Sequence, residues 1–151
     1  MKDKTLSVSA IKEGTVIDHI PADSLFDVLS ILRLDELESQ ITFGTNLKSE
    51  KYGKKAIIKL EGKFFMDDEI NRIALVAPEA KLNIIRDYKV DEKKVVGLPD
   101  EIIGIAKCMN PKCVTNNETV TTKFKVIDKK VVTLKCHYCE KLTDKKHLKI
   151  I

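Results

Sequence analysis

No cysteine precedes Cys108, and the chain has only four, all between Cys108 and Cys139. The N-terminal two thirds must therefore fold on apolar packing alone, while the last third contains something chemically different. That asymmetry predicts two domains, residues 1–98 and 99–151. Glycine (6) and proline (4) are scarce, which excludes fibrous and linker-like chains. Neither a low-complexity segment nor a repeat is present. Apolar runs extend only a few residues, far short of a membrane span, and no apolar signal core follows Met1-Lys2-Asp3-Lys4. A cytoplasmic location with no membrane partner is the expectation. P-loop and dinucleotide fingerprints are also missing, so a motif scan would miss any nucleotide site.

What is present is 43% hydrophobic and 33% charged, the balance of a globular protein. Residues 101–151 hold 11 lysines against 5 acids, whereas residues 1–100 hold 16 basic and 18 acidic residues, so the excess of positive charge is local. Lys141, Lys145, Lys146 and Lys149 raise the possibility of a nucleic-acid-binding zinc ribbon. Residues 101–151 contain no arginine and no aromatic stacking series, which argues against a nucleic-acid partner.

Leu6–Ala10 and Thr15–Ile20 read as strands on either side of Gly14, and Pro21 closes the second. Asp23 and Ser24 are candidate caps for a helix to about Leu34, with Leu25, Leu29 and Leu32 on its apolar face. Gln40–Asn46 and Lys55–Leu60 read as a hairpin. Asp67, Asp68 and Glu69 occupy the first turn of a second helix, where the macrodipole favours acids, and Pro78 ends it. Lys81–Val90 reads as one last strand, and Asp91–Asp100 as a linker. The order β-α-β-β-α-β predicts an α+β, ferredoxin-like domain with an antiparallel sheet. Glu101–Lys107, Thr119–Ile127 and Lys130–Lys135 predict a small all-β domain around the cysteines.

Those cysteines follow Cys108-x4-Cys113 and Cys136-x2-Cys139, two close pairs joined by a short meander. One structural Zn²⁺ held by four thiolates fits this spacing best, and four protein ligands leave no position for substrate. The alternatives are two disulfides, at odds with a reducing compartment, and a redox pair at Cys136 and Cys139, which lacks a surrounding βαβ unit. In the N-terminal part, Asp18 and His19 end a strand, Lys59 interrupts an apolar run, Asn83 interrupts the last strand and Lys93 follows it. Singly, each has an ordinary structural explanation. Together, on neighbouring strands, they can converge on a ribose and its phosphates.

The stretches Ala10-Ile11-Lys12-x-Gly14-Thr15-Val16-Ile17-Asp18-His19-Ile20-Pro21-Ala22, Ile41-Thr42-x-Gly44-x-Asn46-Leu47, Gly53-Lys54-Lys55 with Ile58-Lys59, Ala77-Pro78-x-Ala80 and Leu134-Lys135-Cys136-x-Tyr138-Cys139-Glu140 closely resemble the regulatory chains of aspartate carbamoyltransferase. The resemblance implies a non-catalytic subunit of a pyrimidine-biosynthesis enzyme, inhibited through CTP and UTP and activated through ATP. It implies that Ala10, Ile11, Tyr88 and Val90 enclose the base and that Asp18 and Lys59 hold the ribose. His19, Asn83 and Lys93 would face the triphosphate, with Ser49 and Lys55 in an adjoining second-nucleotide region. It further implies a regulatory-chain homodimer whose zinc domains grip catalytic chains and link catalytic trimers, with Asn110 and Glu140 as contacts. Met109, Pro111 and Lys112 depart from the family's more polar loop.

Overall fold

The computed structural model describes residues 11–33, 38–50 and 52–151. The strand expected at Leu6–Ala10 and the candidate residue Ala10 lie outside the described residues, as does Leu34.

Strand β1 (Gly14–Pro21) leads through a 3-10 turn (Ala22–Ser24) into helix α1 (Leu25–Ile31). Neither Asp23 nor Ser24 makes a side-chain cap, and α1 stops at Ile31, before the predicted end, with Arg33 in the left-handed region (φ 51°). A hairpin follows, β2 (Ile41–Ser49) and β3 (Gly53–Glu61), and then α2 (Asp67–Val76). The Glu69 carboxylate accepts from the Met66 N–H at 3.0 Å, so one of the three first-turn acids caps α2 directly.

The predicted single strand Lys81–Val90 is two strands. β4 (Lys81–Arg86) turns back through Asp87 and Tyr88 into β5 (Lys89–Val95). Both turn residues have positive φ (51° and 66°), the two-residue geometry that matches strand twist and is ordinarily signalled by Asn-Gly or Asp-Gly. Here a tyrosine occupies the second position, so the turn leaves no glycine mark. The first half of the predicted linker is consequently strand, and the connection shrinks to residues 96–100.

The resulting antiparallel sheet has the order β2-β3-β1-β4-β5, the split βαβ arrangement with one strand added at its edge. Ile17, Ile58 and Leu82 stand opposite one another across the three central strands and are fully buried. They pack with Leu25 and Val28 of α1 and Ile73 and Ala74 of α2.

The remaining residues form β6 (Glu101–Ile103), β7 (Ala106–Lys107), the short α3 (Val114–Asn117), β8 (Lys123–Asp128), β9 (Thr133–Cys136), β10 (Leu142–Asp144) and β11 (Lys149–Ile150). One sheet runs β10-β9-β8-β6, and β11 pairs with β7. Gly104 (φ 70°) splits the first predicted segment into β6 and β7, while β8 and β9 begin later than predicted; β10 and β11 had no sequence expectation at all. Phe124, Ile102 and Leu134 are its fully or almost fully buried centre. The core is continuous from α2 through Val96 and Leu98 into this second sheet. A polar clip adds to it: the Arg72 guanidinium on α2 donates to the Ile151 carbonyl at 2.6 Å, and the Ile151 N–H donates to Ile105 O at 2.7 Å.

Candidate functional site

Alternation along the strands decides which polar residues share a face. Lys59 of β3 lies opposite Val16 of β1, Val16 opposite Asn83 of β4, and Asn83 opposite Lys93 of β5. Directly opposed residues project to the same side, so Lys59, Asn83 and Lys93 form one row. The row lies on the opposite side from Ile17, Ile58 and Leu82, and hence away from the helices. Val16 and Ile85 form its apolar floor, each only 8% exposed yet outside the main core cluster. Three inter-strand steps of about 4.8 Å place the two lysines about 14 Å apart.

Asp18 and His19 form a bulge in β1: three steps from Ile17 to Ile20 match two from Ile58 to Ala56, and His19 has φ 60°. A second bulge, with Asn46 at φ 60°, lies in β2 against the same part of β3. The Asp18 carboxylate accepts from the Lys55 ammonium at 2.9 Å and from the His19 N–H at 2.6 Å, with His19 Nδ1 3.5 Å away. Burial holds the Lys59 ammonium below the usual lysine range. At the far end, the Tyr88 N–H donates to Lys12 O at 3.0 Å, which places the β4–β5 turn against the segment carrying Ile11. Tyr88 and Val90 are both exposed there. Ser49 is engaged elsewhere: its hydroxyl accepts from the Tyr52 N–H at 3.2 Å within the β2–β3 turn. Thus Lys59, Asn83 and Lys93 share a row, Asp18, His19 and Lys55 cluster at the bulge, and Ile11, Tyr88 and Val90 gather at the β4–β5 end.

The four cysteines converge. Cys108 follows β7, Cys113 precedes α3, Cys136 ends β9 and Cys139 sits in the following turn. Their sulfurs all lie within 4.8 Å of one another, with Cys108 to Cys139 at 3.6 Å and Cys113 to Cys136 at 3.7 Å. A zinc–sulfur bond of about 2.3 Å puts tetrahedral sulfurs about 3.8 Å apart, so the cage has the size zinc needs. These separations are far beyond the about 2.05 Å of a disulfide. Without a metal, burial pushes the Cys108 thiol up to about 12 and raises that of Cys136. Burial also acts upward on Cys139, but hydrogen bonds from the Lys141 N–H and the Asn110 side chain outweigh it and lower that thiol to about 7.

Several residues that build this knuckle carried no expectation. The Asn116 amide donates to Cys108 O (2.9 Å) and Asn110 O (2.7 Å), and the Asn117 amide donates to Pro111 O (3.0 Å) and Cys113 O (2.8 Å). The Thr115 hydroxyl donates to Cys113 Sγ at 3.2 Å. Paired amides one turn after a cysteine are the available signal, since they can satisfy the carbonyls of a tight loop. Asn110 belongs to the same lattice: its Oδ1 accepts from the Lys112 N–H at 3.1 Å. Glu140 is exposed, with φ 63°.

No described helix is long and apolar enough to cross a membrane. Residues 6–97 match the family model described as aspartate carbamoyltransferase regulatory chain, allosteric domain, and residues 100–149 match its metal binding domain. Curated relatives named aspartate carbamoyltransferase regulatory chain match over nearly the whole length. Those of Phocaeicola vulgatus and Bacteroides fragilis are each 57% identical over 148 residues, 98% of this chain and 96% and 97% of theirs. That of Thermococcus sibiricus is 56% identical over 138 residues, 91% of each chain. With an allosteric domain and a metal-binding domain both matched, this chain belongs to the non-catalytic regulatory chains of aspartate carbamoyltransferase.

Proposed function

We propose that this chain senses CTP, UTP and ATP on the outer face of its first sheet and holds one structural Zn²⁺ in its second. The observation that carries the nucleotide reading is the Lys59–Asn83–Lys93 row over an apolar floor. Lysine ammonium groups and an amide suit a polyphosphate, and Asp18 can accept from ribose hydroxyls. The row spans about 14 Å between the backbones of β3 and β5, and the base end lies to its side, toward the β4–β5 turn, at Ile11, Tyr88 and Val90. Ala10 belongs to that end by resemblance, while His19 and Lys55 supply further positive groups beside Asp18.

Residues 1–98 then form the sensing domain and residues 99–151 the docking domain, in a cytoplasmic assembly where thiols stay reduced. Regulatory chains pair as homodimers, and their zinc domains grip catalytic chains, so that catalytic trimers are linked. Zinc, held by Cys108, Cys113, Cys136 and Cys139, stabilises the docking loops. The protein's own part is positional: Asn116, Asn117 and Thr115 fix the loop, and Asn110 and Glu140 stand beside the cage as docking contacts. Inhibitor and activator nucleotides bind one site and favour different quaternary states. A coupling free energy of about 1–3 kcal/mol suffices and is reciprocal between nucleotide and active-site ligand.

The test is to mix the chain with its catalytic subunit, with and without zinc, and to measure assembly and aspartate saturation with each nucleotide. Zinc-dependent assembly and a nucleotide-shifted saturation curve support the proposal. Assembly that ignores zinc, or a curve that ignores all three nucleotides, overturns the corresponding half.

A further inference from the structure

The C-terminal lysines, which neither the nucleotide face nor the cage uses, line a cleft of about 560 Å³ between β7, β11 and the Cys108–Cys113 knuckle. Lys107, Lys146 and Lys149 give it its charge, and Met109 and Pro111 give it an apolar wall. Among the described residues that line it there is no carboxylate. The register makes this more pointed. Lys149 stands directly opposite Lys107 in the two-stranded β7–β11 sheet. Like charges placed opposite one another destabilise a ladder, so this pair is a local cost. Like-charge pairs also occur at Lys48 with Lys54, Arg86 with Lys89 and Lys125 with Lys135; in the last, Glu101 stands opposite Lys125 on the next strand and Asp100 feels its charge. Beside the cleft, the nearby Asp144 is already held by His147, with Oδ1 2.6 Å from Nδ1.

We propose that this cleft docks an acidic segment of the catalytic chain, an inference that rests on the regulatory-chain reading. The sign of the cleft fixes the sign of its partner. All three lysines are exposed and the cleft is open, which suits a protein loop laid across it better than a small molecule enclosed within it. Met109 is 44% exposed at its edge and offers such a loop an apolar contact. Nucleic acid is the less suited polyanion, since residues 101–151 contain no arginine and the cleft has no aromatic platform. One wall is the knuckle itself, so metal binding and docking share a scaffold. Exposed complementary charges act chiefly on the rate of encounter and its salt dependence.

The experiment compares the intact chain with the triple variant Lys107→Gln, Lys146→Gln, Lys149→Gln, and with the charge-matched control Lys54→Gln, Lys94→Gln, Lys130→Gln. Association with the catalytic chain is followed at low and high ionic strength, and zinc content confirms that each variant is folded. The cleft variant should associate about 10-fold more slowly at low salt and lose most of its salt dependence, while the control keeps both. Equal rates and equal salt dependence for the cleft variant overturn the docking surface and leave the regulatory-chain reading intact. Failure of the unmodified chain to associate at all overturns that reading itself. Steep, salt-dependent binding of a single-stranded oligonucleotide that only the cleft variant loses, with catalytic-chain association unchanged, replaces the protein partner with nucleic acid.

Discussion

Gly14 opens β1 at φ 145°, a conformation side chains rarely adopt, and a Cβ built there would lie 2.1 Å from the Leu60 carbonyl oxygen. Gly14→Ala must therefore push β1 and β3 apart by about 1 Å to restore van der Waals contact. The neighbouring Gly62 N–H to Glu13 O bond, now 2.8 Å, cannot survive that shift. Backbone strain contributes about 1–3 kcal/mol, and one or two lost hydrogen bonds about 1 kcal/mol each. The reduced entropy of the unfolded alanine chain returns about 0.4–1 kcal/mol. The net loss is about 1–5 kcal/mol, which at a urea m-value of about 2 kcal/mol/M lowers the urea midpoint of the first sheet by about 0.5–2.5 M. Gly97→Ala is the control, because nothing lies within 4 Å of the Cβ it would add. Since Val16 and Asp18 are on the same strand, calorimetry should also show weaker nucleotide binding for Gly14→Ala. A midpoint shift corresponding to less than about 1 kcal/mol would refute the steric reasoning, whatever the effect on binding.

Tyr52 donates to Glu79 Oε2 at 3.3 Å, and burial followed by the Glu79 charge raises its pKa to about 12. The raised value favours the neutral phenol in the fold, so this stabilisation is complete below pH 10 and is lost as pH rises through 12. Tyrosinate absorbance should show a late titrating step that Tyr52→Phe abolishes; a step that persists in the variant contradicts the assignment. Removing zinc with a strong chelator should deprive residues 100–150 of an apparent binding free energy of about 10–16 kcal/mol and open their amides to hydrogen exchange before those of β1 and β3. Simultaneous loss of protection in both sheets would contradict that order. Lys59→Gln removes a charged donor from the row, and CTP affinity measured by calorimetry should fall about 10- to 150-fold, with unchanged affinity counting against the row. Zinc affinity should rise with pH, because the raised Cys108 and Cys136 thiols must lose protons to bind; competition with a colorimetric chelator at several pH values tests this.

The first four strands and both long helices were legible because each carries a clear period: Leu25, Leu29 and Leu32 for α1, and Ile58 and Leu60 for β3. β5 was not legible, because Lys89–Val95 is an edge strand, exposed at every position, with no buried face to impose alternation. Its turn was hidden for a second reason, the tyrosine at a position where glycine usually reports positive φ. The cage could be read from cysteine spacing, since few other arrangements bring two close pairs together. The amides that hold the cage could not, because Asn116 and Asn117 act on backbone carbonyls and make no sequence pattern of their own. The nucleotide row lies between these cases. Lys59 and Asn83 stand out in apolar strands, but only the register of β1 against β3 and β4 aligns them.

The clip between Arg72 and Ile151 bears on how the two sheets are joined. The chain crosses between the two sheets through residues 96–100, and Arg72 holding Ile151, itself bonded to Ile105, provides a second crossing. The apolar core already joins the two sheets through Val96 and Leu98, so the clip is a stitch across an existing seam rather than a lone tether. It ties α2 to the segment that pairs with β7, just ahead of Cys108, so that the first sheet and the cysteine loop are joined by polar bonds as well as by apolar packing.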